Sequence, residues 1–185
     1  PYRAEKIAAL CENATVVSKT REYWTYNGTY KGVPVTIASN GCGAAGALLC
    51  FEGLILGGAK VMIRVGTGGF LADGYKAGDM LVITAAVREE KVMEQVVPLS
   101  YPAVSNIDVT LNLQKAAKAR GVDVKTGMCV TGGIFYPELL PTNLRLFQKA
   151  GVPGYENEMS SLLVIAGLKG VKAGGIIAMD GPCFE

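Results

Sequence analysis

Two rhythms of apolar and polar positions alternate along this chain. Short apolar runs of strand length fall at Val33–Ala38, 61–65, 122–130 and 171–179. Between them lie segments of helical spacing or of small apolar residues, at Ala44–Leu56, 109–120, 144–150 and 160–168. Residues 5–11 read as a short amphipathic helix, 22–30 as a strand with an Asn27-Gly28 turn, and 78–85 as the opening of another strand. Asn40-Gly41-Cys42-Gly43 is a turn ahead of the second helix, and Gly57-Gly58, Gly121, Gly151 and Gly170 close the helices. Alternating strands and helices without repeats or linkers predict one layered α/β domain: α/β/α in three layers, around a mixed, largely parallel sheet.

The run Ile63-Arg64-Val65-Gly66-Thr67-Gly68-Gly69 carries the first chemical signal. An apolar strand leads into a glycine-rich turn with an arginine at its edge and a threonine inside. Glycines let backbone N–H groups approach a ligand, and arginine adds a planar, permanently charged donor fork. Together they predict an oxyanion pocket, with phosphate the best-fitting occupant; the plainer reading is a surface arginine beside an ordinary strand-to-loop turn. In open α/β sheets ligands collect at the carboxyl ends of strands. Arg64, Thr67, Phe135 and Asp180 all fall there, and Glu156 and Glu158 precede the last long helix.

Composition narrows the chemistry. At 185 residues, half of them hydrophobic, the chain is long enough for one substantial core. A net charge of +2 with scattered basic residues gives no basis for nucleic-acid binding. No apolar run reaches the roughly 20 residues that cross a bilayer. The five cysteines form no CxxC pair and lie mostly in apolar surroundings, which predicts reduced, buried thiols and a cytoplasmic location. Histidine is absent, so Ser-His-Asp and Cys-His catalysis and histidine-ligated zinc are excluded within this chain. Arginines, carboxylates and backbone dipoles remain to run any reaction.

In Tyr155-Glu156-Asn157-Glu158-Met159, the two carboxylates are either partners of a helix N-terminus, or one of them projects into the pocket and accepts from the vicinal hydroxyls of a sugar. Phe135-Tyr136-Pro137 offers an aromatic face, either for the core or for a planar base. Arg3 and Arg21 say little singly.

Jointly these segments resemble the nucleoside phosphorylase superfamily of the purine and uridine phosphorylase type, most closely its uridine branch. Pro1-Tyr2-Arg3 matches the tail of the family's Gly-Asp-Pro-x-Arg phosphate loop, and Arg21-Glu22-Tyr23 its Arg-Glu-aromatic segment. Asn40–Gly43 matches a Gly-x-Gly turn, Ile63–Gly69 the Arg-x-Gly-Thr-x-Gly signature, and Tyr155–Glu158 the Tyr-Glu-Met-Glu motif. Pro98-Leu99-x-Tyr101-Pro102-Ala103 and Phe135-Tyr136-Pro137 are typical of the uridine branch. The similarity runs over residues 1–185, which would then be a single phosphorylase domain without the family's N-terminal strand and C-terminal helix.

The resemblance implies phosphorolysis: phosphate attacks the anomeric carbon of a nucleoside, giving ribose 1-phosphate and free base. Arg3, Arg64 and Thr67 would hold phosphate, with Arg21 completing a neighbouring subunit's site. Glu158, beside Asn157 and Thr67, would hold the ribose. Phe135, Gly69, Glu156 and Asp180 would surround the base. Arg64 and Glu158 would carry the catalysis. No cofactor is implied beyond phosphate as co-substrate. Glu22 matches a residue that in some relatives binds a structural metal cation at the dimer interface. The partners implied are nucleoside and phosphate, without nucleic acid or membrane, in a homodimer as minimal unit or a hexamer.

Three departures bear on specificity. Asn157 stands where the family has methionine, and Gly68 where it has a second threonine. The Gln-x-Arg that reads uracil after Phe-Tyr-Pro is replaced within Glu138-Leu139-Leu140-Pro141, whose leucines and proline cannot make those hydrogen bonds. Purine phosphorylases use an aspartate near Asp180 to protonate the leaving base; an Asp-Gly turn is the plainer reading. On its Phe135-Tyr136-Pro137 and Pro98–Ala103 segments, a uridine phosphorylase is the leading expectation even so. A purine phosphorylase is the near alternative, and a non-catalytic nucleoside-binding protein of the same fold is the alternative from another class.

Overall fold

The computed structural model describes residues 1–184. Its elements, in chain order, begin with α1 (Tyr2–Ala8), β1 (Glu12–Thr20), β2 (Tyr23–Tyr30), β3 (Val33–Ala38), α2 (Ala44–Leu56) and β4 (Val61–Phe70). There follow β5 (Met80–Glu89), a 3-10 turn (Met93–Gln95), β6 (Ala103–Val104), α3 (Ile107–Ala119) and β7 (Val124–Gly132). The chain ends with α4 (Leu144–Lys149), β8 (Gly154–Glu156), α5 (Met159–Leu168) and β9 (Lys172–Pro182).

β1, β2 and β3 form an antiparallel meander, with α1 packed on it through Ala4, Ala8 and Tyr26. The main sheet is mixed and runs β6-β5-β7-β8-β4-β9, as the α/β expectation requires. β4 and β9 are parallel, as are β5 and β7, and β7 and β8. β9 also pairs antiparallel with β5, from Met80–Ala178 to Ile83–Gly175, so five strands close into a ring. Inside the packing lies α5, whose residues from Met159 to Ala166 are all buried, serines included. Leu162, Leu163 and Ile165 join Leu81, Ile83, Met93 and Ile177 in one core cluster. Each such side chain contributes about 1.5–3 kcal/mol by leaving water.

Several expectations need correction. The glycine-rich segment after Ile63 is no turn: β4 continues through it to Phe70, paired with β9. Its glycines meet a packing demand instead. A Cβ on Gly66 would collide with the Arg64 guanidinium, and one on Gly68 with the Tyr155 carbonyl. Asn27 and Gly28 lie inside β2, with the reversal at Lys31-Gly32. The first helix begins at Tyr2 and ends at Ala8, earlier than 5–11. Asp180 lies within β9 rather than after it. Of the cysteines, Cys129 is buried, Cys11, Cys50 and Cys183 are half-buried, and Cys42 is exposed; all are free thiols. Among the described residues, no helix is long and apolar enough to cross a membrane.

Candidate active site

β4 and the β8–α5 junction create the site between them. β8 presents Glu156, and after Asn157 and Glu158 the chain enters α5, with Glu158 just before its first residue. β4 presents Arg64 toward the same place, 9% exposed, its guanidinium lying over Gly66. Arg64 Nη2 donates to Glu158 Oε2 in a buried ion pair. Arg64 Nη1 lies 3.3 Å from Glu156 Oε2, a charge contact without hydrogen-bond geometry. Nη1 and Nε are buried and find no acceptor among the described residues. An oxyanion is the complement of such donors.

Glu158 has a second anchor: its Oε1 accepts from the Gly43 backbone N–H at 2.6 Å. Gly43 precedes α2 with φ at 81°, the left-handed region where glycine carries no Cβ penalty. The Asn40–Gly43 turn thus aims a helix-start N–H at the carboxylate expected to hold ribose. Glu156 is enclosed, 2% exposed. Its Oε2 accepts from the backbone N–H groups of Glu158 and Met159, both at 2.8 Å, and its Oε1 accepts from Thr131 Oγ1 at 2.5 Å. Glu156, expected among the base-site residues, lies under the first turn of α5.

The electrostatics follow from burial. Desolvation alone would lower the Arg64 pKa, but Glu156 and Glu158 more than offset it, so the pKa is raised and the guanidinium stays charged. The Glu156 carboxyl is held above the ordinary carboxylate range, chiefly by burial, against the pull of Arg64, Thr131 and the Glu158 N–H. Burial, and then Glu156, raise the Cys129 thiol well above its ordinary range, so it is no thiolate nucleophile.

The other expected site residues are placed as follows. Arg3 Nη1 donates to Thr67 Oγ1 at 3.4 Å, which joins the first helix to β4. Arg21 is exposed in the β1–β2 turn, with its carbonyl accepting from the Trp24 indole. Gly69 pairs with Tyr155 across β8 and with Gly181 across β9. Between Gly68 and Gly69 the β4–β9 register shifts from Met179 to Gly181, which leaves Asp180 as the extra, exposed residue of a bulge. Bulges re-aim side chains beside functional sites. Asn157 donates to the Gly132 carbonyl at 2.9 Å and lies 3.4 Å from the Tyr155 hydroxyl. Phe135 is 70% exposed and stacks edge-on against Tyr136 at 5.1 Å.

Glu22 is exposed, and among the described residues no three His, Cys, Asp or Glu side chains converge to hold a metal ion. The cation that the resemblance implied would lie between subunits, and within one chain Glu22 is the exposed carboxylate that could contribute to it.

Sequence reasoning missed four contributors. Thr131 joins Glu156 to the Ser160 N–H, which donates to its Oγ1 at 2.9 Å. Ser160 Oγ donates to Glu90 Oε1 at 2.8 Å, and Glu90 Oε2 accepts from the Met93 N–H at 3.0 Å. Arg88 Nη1 donates to the carbonyls of Pro98, Leu99 and Tyr101. The charged run Arg88-Glu89-Glu90 at the end of an apolar strand was the available signal. Arg88 also supplies a structural reason for the Pro98–Ala103 motif.

Known proteins are similar to this chain in sequence and in fold. The sequence pattern of the phosphorylase superfamily matches residues 1–184. A purine nucleoside phosphorylase of Plasmodium falciparum (isolate 3D7) is 38% identical over 187 residues, covering 100% of this chain and 76% of its own. A uridine phosphorylase of Haemophilus influenzae is 34% identical over 187 residues, covering 94% of this chain and 74% of its own. The crystal structure of a Toxoplasma gondii purine nucleoside phosphorylase with immucillin-H superimposes with a TM-score of 0.95 at 34% identity, over 99% of this chain and 74% of that one. The chain belongs to the phosphorylase superfamily, within its nucleoside phosphorylases. Enzymes of that family transfer a glycosyl group to phosphate and need no further cofactor.

Proposed function

We propose that this chain cleaves purine nucleosides by phosphorolysis. Phosphate, held by Arg3, Arg64 and Thr67, donates an oxygen lone pair to the anomeric carbon. The C1′–N9 bond breaks, its electrons pass into the purine ring, and the exposed Asp180 relays a proton from water to N7 while the attacking phosphate oxygen releases its own to solvent. Glu158 accepts from the ribose hydroxyls, and Gly69 and Phe135 border the base. Most of the rate gain is positioning and electrostatic stabilisation. The observation that carries the purine reading is the bulge that turns Asp180 out beside Gly69. Residues 138–141, after Phe135, offer no amide or guanidinium to a pyrimidine.

Uridine phosphorolysis is the second reading, favoured by Phe135-Tyr136-Pro137 and by the similarity to uridine phosphorylases. Arg21, exposed in the β1–β2 turn, is assigned to a neighbour's phosphate as the resemblance implies, which makes a homodimer the smallest complete unit and leaves a hexamer as the larger assembly. The reduced thiols suit the cytoplasm. The test is base release from inosine and from uridine, each with and without phosphate. Faster phosphate-dependent release of hypoxanthine supports the purine reading, and faster release of uracil restores the uridine one.

A further inference from the structure

Arg64 faces two carboxylates that differ in freedom. Glu158 is tied to the Gly43 N–H and to Arg64 itself. In the proposed reaction it turns to the ribose hydroxyls and loosens its hold on the guanidinium. Glu156 has no such freedom. Two backbone N–H groups and the Thr131 hydroxyl saturate its oxygens, and the Cys129 thiol lies 3.8 Å away. Capping the start of α5 needs only a hydrogen-bond acceptor, which a neutral side chain supplies equally well. The negative charge is surplus to that cap. Among the described residues, the one cation in ion-pair contact with it is Arg64, at 3.3 Å.

We infer that Glu156 is a positioning residue, a fixed counter-charge that keeps Arg64 aimed at phosphate while Glu158 serves the ribose. The inference rests on the phosphorolytic reading above. Burial raises the Glu156 pKa, so its ionised form is held at a cost in stability. The guanidinium at 3.3 Å and the three donors on the Glu156 oxygens favour the ionised carboxylate, and a charge held beside a phosphate-binding arginine is explained by function rather than by capping.

Two variants test it. Glu156→Gln keeps an acceptor for the two N–H groups and removes the charge; Glu156→Asp keeps the charge and withdraws it by one methylene. Phosphate KM, nucleoside KM and melting temperature are measured with inosine in the full chain. The expected result is a phosphate KM raised about tenfold or more in the Gln variant and by less in the Asp variant, with nucleoside KM within about threefold of wild type. A cap alone moves the melting temperature and not the split between the two KM values. A phosphate KM that is unchanged or lowered in both variants overturns the inference, and if the Gln variant does not fold, the Asp variant decides. Wild-type turnover that ignores phosphate removes the phosphorolytic reading itself, whereas phosphate-dependent turnover with an unmoved KM removes the positioning role alone.

Discussion

Arg64 and Glu158, 94 residues apart in sequence, form a buried ion pair in which the guanidinium donates directly to the carboxylate. One partner is the expected phosphate ligand and the other the expected ribose ligand. In the proposed reaction the two substrates would meet a pair of residues that are already joined.

Removing one partner strands the other. Arg64→Ala leaves Glu156 and Glu158 without a cation in a buried site, which is expected to destabilise the fold by about 3–5 kcal/mol. Loss of the phosphate-fixing charge is expected to lower kcat/KM about 100- to 1000-fold. Urea unfolding and steady-state kinetics read the two effects separately. A stability within about 0.5 kcal/mol of wild type would contradict the buried pair.

Glu158→Ala removes the acceptor for the ribose diol. A hydrogen bond to a charged group contributes about 1.5–3 kcal/mol, so kcat/KM for inosine falls about 10- to 150-fold. The loss is smaller for 2′-deoxyinosine, which lacks one of the two hydroxyls. Equal losses on both substrates would place the contact at the 3′-hydroxyl or make the role structural.

Asp180 is exposed at its bulge, so Asp180→Asn should change stability by no more than about 0.5 kcal/mol. As general acid it should contribute about 100-fold or more to inosine cleavage. Uridine offers no N7, so its turnover should be nearly unaffected. A variant with undiminished inosine turnover would return Asp180 to an ordinary position in β9.

The raised Glu156 pKa has a signed consequence for stability. A carboxyl whose folded pKa exceeds its unfolded value, ordinarily 4.5, stabilises the fold fully below that value and loses this contribution as pH rises through the folded pKa. Wild type should therefore lose stability relative to Glu156→Gln as pH rises from about 4.5 toward neutrality. Unfolding both proteins in urea across that range checks the sign, and parallel curves would contradict it.

Much of this was legible in the sequence, and the failures have physical reasons. The bounds of α2, Ala44–Leu56, were readable because glycines flank a run of small apolar residues. β1 was missed because it is exposed along nearly its whole length and lacks the alternation that marks a half-buried strand. β8 is three residues long, too short for any period to show. The glycines of β4 were read as a turn because glycine usually marks one. Here they make room for the Arg64 guanidinium and for β8, a demand set by residues distant in sequence. In the site, Arg64 and Glu158 were accessible through motif and chemistry. The place of Glu156 was not, because most of its partners are a threonine hydroxyl on another strand and two backbone N–H groups.

The central claim is that phosphate, not water, takes the sugar. Phosphorus NMR of the protein with inosine and inorganic phosphate tests it directly. Phosphorolysis requires loss of the inorganic phosphate signal and growth of a ribose 1-phosphate signal in step with free hypoxanthine. Hypoxanthine released with the phosphate signal unchanged would mean hydrolysis and would contradict it.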